Sequence, residues 1–362
     1  MSDSAMRVGL VGPLSPPSGG MANQTQLLSR LMANDGKEVI IVQTNAPYRP
    51  AIVAKVPVMR AMFRLIPYMF NLVKMSKRVD VVHIMANSGW SWHLFVAPSV
   101  WIAKLLNIPS VINYHGGEAD TFFSKSIKVI RPTMLASAKV IVPSNFLVEI
   151  FNKYNIETNI VPNAIDLSVF NQSGKSAQQN KLNILVARNL ELIYDNETAI
   201  KAFHLIKLKY PYATLTVAGT GPEKNNLQRL VAKLDLSDAV NFVGRVDRYT
   251  MADLFKQSQV MINPSTADNM PISILESLAS GVPVVTTNVG GIPHLVENEQ
   301  TAMMVQPKDH VAMSDAIIKL VQDTALRDKL IKNGIDMVKK FTWSSVSVLW
   351  DDVYQRSIAK VN

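Results

Sequence analysis

Apolar residues in this chain fall into short uninterrupted runs separated by longer amphipathic stretches. Arg7–Val11, Glu38–Thr44, Val79–Met85 and Ser110–Tyr114 are such runs, and Lys139–Pro143 and Asn159–Pro162 close the series. Runs of this length fit parallel strands buried on both faces. The spacing predicts helices over Met21–Ala33 and from about Ala86 to Leu106. A polar stretch rich in Ser, Gln and Asn follows at 168–181, and then the alternation resumes. Strands are predicted at Asn183–Ala187, Thr214–Ala218, Val240–Val243 and Val260–Asn263. Helices are predicted at Thr198–Lys209, Asn226–Lys233 and Met251–Lys256. Two successive βα series in 362 residues predict two α/β domains, 1–167 and 182–342, joined by a linker at 168–181. In the tail, 343–362, Trp343, Trp350 and Tyr354 recur at helical spacing and read as packing residues.

The densest chemistry lies in 260–296. Val260–Asn263 is broken by Pro264-Ser265, Ile272–Ala279 has helical spacing and Gly281 ends it, and Val282–Thr286 reads as another strand before Gly290-Gly291. Asp268 sits in the loop and Glu276 eight residues on, within the short helix. Taken alone, Asp268 is a capping residue and Glu276 a solvated one. Yet Glu276 is flanked by apolar residues between two buried strands, where a stray carboxylate is costly without a partner. Asp268 follows the carboxyl end of a parallel strand, where open α/β sheets bind ligands.

This unit resembles the acid-x7-acid motif of the family-4 retaining glycosyltransferases, with Asp268 where that family usually has Glu. The resemblance extends over nearly the whole chain. It implies the GT-B fold: two facing Rossmann-like domains with a cleft between them, and a C-terminal helix crossing back to the first domain. It further implies that Asp268 and the backbone of Asn269, Met270, Pro271 and Ile272 hold the transferred sugar, and that Glu276 holds the ribose hydroxyls. A carboxylate suits both tasks because it accepts two hydrogen bonds from a vicinal diol. Gly19 and Gly20, opening a helix after the first strand, match the glycine pair beside the donor diphosphate. His115, in His115-Gly116-Gly117-Glu118, matches the histidine that reaches the donor sugar. Arg188 matches the guanidinium that binds and stabilises the leaving diphosphate. Gly244 and Arg245, in Phe242-Val-Gly-Arg-Val, fall at the loop bordering the nucleotide base. Five residues after Arg188 the family carries a Lys, and this chain has Ile193; Lys224 is the nearest cation in sequence to replace it.

On this reading the protein is a retaining, hexosyltransferase-type enzyme. It moves a sugar from a UDP- or GDP-linked donor to a hydroxyl on a glycan or lipid-linked acceptor, in cell-surface polysaccharide or glycolipid synthesis. No cofactor or metal is implied. The alternative is a non-catalytic relative that binds nucleotide or partners only, since the second diphosphate cation is missing.

Composition narrows the remaining choices. With no cysteine there is no disulfide and no thiolate metal site. The longest apolar stretch, Trp90–Ala103, contains His93 and Pro98 and is too short to span a bilayer. The start runs into a strand without a signal-like segment, which predicts a cytoplasmic location. The net charge is +9, and residues 49–78 carry seven basic residues and no acid among large apolar side chains. Two readings fit that segment: a helix lying on anionic lipid at the inner face of the cell membrane, with Arg60, Arg64 and Lys74 at the headgroups, or a core-packing helix with solvated cations. No nucleic-acid-binding module is present.

Overall fold

The computed structural model describes residues 5–16, 19–47, 57–172 and 181–360, with the side chains of 57–62 excepted. Much of the 168–181 linker and the start of the 49–78 segment therefore lie outside the described residues. The chain divides into two compact units: residues 1–164 with 343–362, and residues 165–342.

In the first unit, β1 (Arg7–Gly12), β2 (Glu38–Gln43), β3 (Val81–Ala86), β4 (Ser110–Tyr114), β5 (Lys139–Val142) and β6 (Asn159–Ile160) form a parallel sheet in the order β2-β1-β3-β4-β5-β6. Alternate residues feed two cores. Val82, Ile84 and Ala86 join one, and Val81 and Met85 the other. Burial on both faces is why these strands read as continuous apolar runs. The C-terminal helix Trp343–Ala359 covers one face, placing Trp350, Val353 and Tyr354 against Val8, Leu10 and Val81. Its anchor is polar as well as apolar: His83 Nδ1 lies 2.7 Å from the Tyr354 hydroxyl. Asn113 Nδ2 donates to His83 Nε2 at 3.1 Å, so Nε2 is the acceptor and Nδ1 carries the proton.

In the second unit, β7 (Asn183–Val186), β8 (Thr214–Ala218), β9 (Val240–Gly244), β10 (Val260–Asn263), β11 (Val284–Thr287) and β12 (Met303–Val305) are also parallel, in the order β12-β11-β10-β7-β8-β9. Ile184 and Val186 face one core and Leu185 the other; Val260 and Ile262 oppose Met261 in the same way. From β7 the chain builds outward through β8 and β9, then returns to add β10 on the other side of β7. The loops leaving β7 and β10 therefore diverge and open a crevice at the carboxyl edge.

Ser110–Tyr114, Thr214–Ala218 and Ile272–Ala279 lie where the pattern puts them, to the residue. The strand expected at Val282–Thr286 runs instead from Val284 to Thr287, because Pro283 has no N–H to give a ladder. Among the described residues, no helix is long and apolar enough to cross a membrane.

Candidate active site

The crevice between β7 and β10 gathers Arg188, Asp268 and the approach to Glu276. Arg188 lies two residues past β7, and its Nη2 donates to Asp268 Oδ2 in an ion pair whose side chains are 11% and 14% exposed. The guanidinium also lies over the Tyr194 ring, 4.0 Å from its centroid, and its Nε is buried without a hydrogen-bond partner among the described residues. Tyr194 ends a short 3-10 turn, Leu192–Tyr194, where the second cation was expected. Thr266 straps that turn to the β10 loop, donating to the Ile193 carbonyl from its N–H (2.8 Å) and its hydroxyl (3.0 Å). Lys224 is the exposed first residue of the helix Lys224–Lys233. The residue that sequence reasoning missed is Tyr194; the missing Lys was the available signal that something else must meet Arg188.

The loop carrying Asp268 is fixed from behind. The Ser265 hydroxyl donates to Asn263 Oδ1 at 2.7 Å, and the Thr287 hydroxyl to the Ser265 carbonyl at 2.6 Å. Gly291 N donates to the Asp268 carbonyl at 2.9 Å. A Cβ at Gly290, whose φ is +53°, would lie 2.1 Å from that same carbonyl, and one at Gly291 would lie 2.0 Å from the Asn269 carbonyl. Only glycine permits so close a backbone approach. Asn269 N turns back to Asp268 Oδ1 at 3.0 Å, and the Met270 side chain is buried in the core. What Asn269–Ile272 leaves for a ligand is thus backbone at the start of the helix Ile272–Ala279, with Pro271 as its N-cap.

Glu276 is half-buried on that helix, and its carboxylate accepts no hydrogen bond from any described residue. Burial pushes its pKa up to about 7, against the opposing field of Arg248. Arg248 is itself held by Asp166, Nη2 to Oδ2 at 2.7 Å. Arg248 was not among the residues that sequence reasoning singled out. Gly244 (φ +71°) and the exposed Arg245 end β9 as expected.

In the first unit, Gly19 is the extended N-cap of the helix Gly20–Asn34, and a Cβ on Gly19 or Gly20 would meet nothing within 4 Å. His115 follows β4 and donates its backbone N–H to Ala86 at 2.9 Å. It lines a small cavity with Gln24, Met85, Asn113, Asn163 and Trp350, and its Nε2 is buried without a hydrogen-bond partner among the described residues. Burial lowers the imidazole pKa to about 4, so at neutral pH it is an uncharged hydrogen-bonding group.

Comparison with known proteins gives the family and the fold. Residues 170–337 match the family model "Glycosyl transferases group 1", and residues 18–169 match "Glycosyltransferase Family 4". A glycogen synthase of Mycobacterium tuberculosis is 24% identical over 292 residues, 77% of this chain and 69% of that protein. Among solved structures, sucrose-phosphate synthase from Thermosynechococcus elongatus matches with a TM-score of 0.75 at 18% identity, over 98% of this chain and 100% of that one. Anabaena Alr3699/HepE in complex with UDP matches with a TM-score of 0.75 at 16% identity, over 97% and 100%. The fold class is GT-B, two Rossmann-like domains. The chain is a glycosyltransferase and belongs to the family-4, group 1 glycosyltransferases.

Proposed function

We propose that this enzyme transfers a hexose from a UDP- or GDP-linked donor to a hydroxyl acceptor with retention of configuration, in the synthesis of a surface polysaccharide or glycolipid. The observation that carries the reading is the disposition of Arg188, Asp268 and Glu276 around the β7/β10 crevice. A guanidinium answers a diphosphate, and two carboxylates eight residues apart answer two diols, the sugar's and the ribose's. Glu276, whose carboxylate has no hydrogen-bond partner among the described residues, is suited to the ribose. Asp268 and the Asn269–Ile272 backbone are suited to the sugar. His115, uncharged at neutral pH, is assigned a hydrogen bond to the donor sugar, and Gly19 and Gly20 the approach of the diphosphate. The charge on the leaving diphosphate goes to Arg188, so the reading calls for no metal, and EDTA is expected to leave the rate unchanged.

The test is thermal stability with UDP, GDP and ADP, wild type beside Glu276→Ala. A ligand at a hundred times its dissociation constant adds about 2.7 kcal/mol. A shift with one nucleotide that disappears in Glu276→Ala supports the assignment and names the base; no shift with any of the three rejects it.

A lipid-linked acceptor at an anionic membrane is the finer part of this reading. It draws support from the helix Pro57–Ser76, which exposes Phe63, Ile66 and Phe70 (43%, 62% and 69%) and carries Lys74 in its last turn. Vesicles containing anionic lipid should bind the wild type and lose a variant with Phe63 and Phe70 changed to Ser. Equal binding would remove the membrane from the proposal.

A further inference from the structure

In this structure the cation and the acid assigned to the donor are engaged with each other. Arg188 Nη2 donates to Asp268 Oδ2, and both side chains are nearly buried. Asp268 is held at its backbone and Arg188 at its guanidinium. The Asp268 loop is fixed by the bond from Gly291 N to its carbonyl and by the Gly290 contact behind it. The Arg188 guanidinium is kept in reach by the Tyr194 ring at 4.0 Å. The remaining bonds to the Asp268 carboxylate are weak or local: Ser265 Oγ at 3.4 Å on Oδ2, and Asn269 N at 3.0 Å on Oδ1. The ion pair can therefore be exchanged by side-chain motion alone, and Arg188 is the one cation paired with this carboxylate among the described residues.

We propose that this ion pair makes the site discriminate between an intact nucleoside diphosphate sugar and the free nucleoside diphosphate. The inference rests on the donor reading given above. A nucleoside diphosphate draws Arg188 toward its phosphates and leaves the Asp268 carboxylate partly buried with no counter-ion, a costly state. An intact donor presents the same diphosphate and, beyond it, sugar hydroxyls that donate to Asp268 as the guanidinium leaves. Opening the pair is then compensated only when the sugar is present. After transfer the hydroxyls are gone, Asp268 recaptures Arg188, and the nucleoside diphosphate is displaced. Asp268 on this account sets specificity twice, by holding the sugar and by withholding Arg188 from ligands that lack one.

The test is calorimetric titration of UDP, GDP, UDP-glucose and GDP-mannose into wild type, Asp268→Asn, Arg188→Ala and the double variant. Asn is near-isosteric and cannot form the ion pair. The expected result is that Asp268→Asn binds the preferred nucleoside diphosphate about tenfold more tightly than wild type, 1.4 kcal/mol, and binds its sugar-linked form more weakly. In the Arg188→Ala background the same change should give no gain, since there is no guanidinium to release. Asp268→Glu keeps the charge and should keep the wild-type discrimination. If Asp268→Asn binds the nucleoside diphosphate no better than wild type while Arg188→Ala abolishes binding, the ion-pair proposal falls and the donor site stands. If no variant binds any nucleotide and Arg188→Ala changes nothing, the donor reading itself falls.

Discussion

Glu276 shows at the scale of one residue what a binding site costs its fold. Its pKa, about 7 in the folded chain against 4.5 for an unperturbed glutamate, means that the folded state binds more protons between those values. The stability associated with that proton is full below pH 4.5 and is lost as pH rises through 7. At pH 8 the protein therefore holds an ionised, half-buried carboxylate that no described residue meets with a hydrogen bond. Glu276→Gln is expected to stabilise the second unit at pH 8 by about 1–3 kcal/mol, to have little effect at pH 5, and to abolish nucleotide binding. Denaturation at the two pH values, followed by nucleotide titration, checks all three; a variant destabilised at pH 8 refutes the account. The acid pair was legible because Asp268 and Glu276 are spaced along one loop and helix. Tyr194 was not, because its contact with Arg188 depends on a 3-10 turn and on Thr266 reaching across from another loop. The stack itself is testable: Tyr194→Phe should keep nucleoside diphosphate affinity, and Tyr194→Ala should lower it about three- to tenfold. Affinity for the nucleoside without phosphate should be the same in both. An equal loss for nucleoside and diphosphate would reduce Tyr194 to packing.

At the scale of elements, the site is made by strands that end and by turns that permit contact. β7 and β10 were readable as apolar runs, and the Gly290-Gly291 turn as a glycine pair. The backbone contact that requires the pair was not, since it joins Gly291 to Asn269, twenty-two residues earlier in the chain. Gly36 provides the contrast: its φ is +82°, but a Cβ there would meet nothing within 4 Å. Gly36→Ala should cost about 1–2 kcal/mol through the left-handed backbone alone. Gly291→Ala puts a methyl into a carbonyl, and should cost more than that and displace Asp268, abolishing nucleotide binding. Stability curves rank the two; equal costs would mean the β10 loop yields easily, contrary to its bonds to Thr287 and Gly291. Among the elements that escaped the pattern, two did so for different reasons. β12 is three residues long, too short for a period to register. The π-helical turn at Trp92–Val96 differs from an α-helix only in which carbonyl each N–H meets, which apolar spacing does not encode.

At the scale of the molecule, the two units answer pH with opposite sign. The first holds His83, lowered to about 3 by burial and by the field of His115, and His115, lowered to about 4 by burial. Both bind fewer protons folded than unfolded below about pH 6.5, so their contribution is full above that pH and is lost as pH falls toward 4. Each histidine contributes about 1.4 kcal/mol per pH unit in that window. The second unit, through Glu276, gains on the same descent. His83 was hidden in an apolar run, and only the structure shows it bonded to Tyr354 and Asn113 beneath the C-terminal helix. That bonding says where acid acts. Protonating His83 gives Nε2 a hydrogen with no acceptor, because Asn113 Nδ2 also donates there, and puts a charge into the buried seat of Tyr354, where Trp343–Ala359 is fastened to β3. Hydrogen exchange at pH 7.5 and 5.5, corrected for the intrinsic rate, should therefore show protection lost first in residues 343–359 and 81–86. Protection across 260–279 should be kept or increased. Tyr354→Phe removes one end of the link and should produce the same loss at pH 7.5, while leaving 260–279 unchanged. Uniform loss across both units at pH 5.5 would show that unfolding is concerted, and that neither the histidines nor Glu276 governs its own unit.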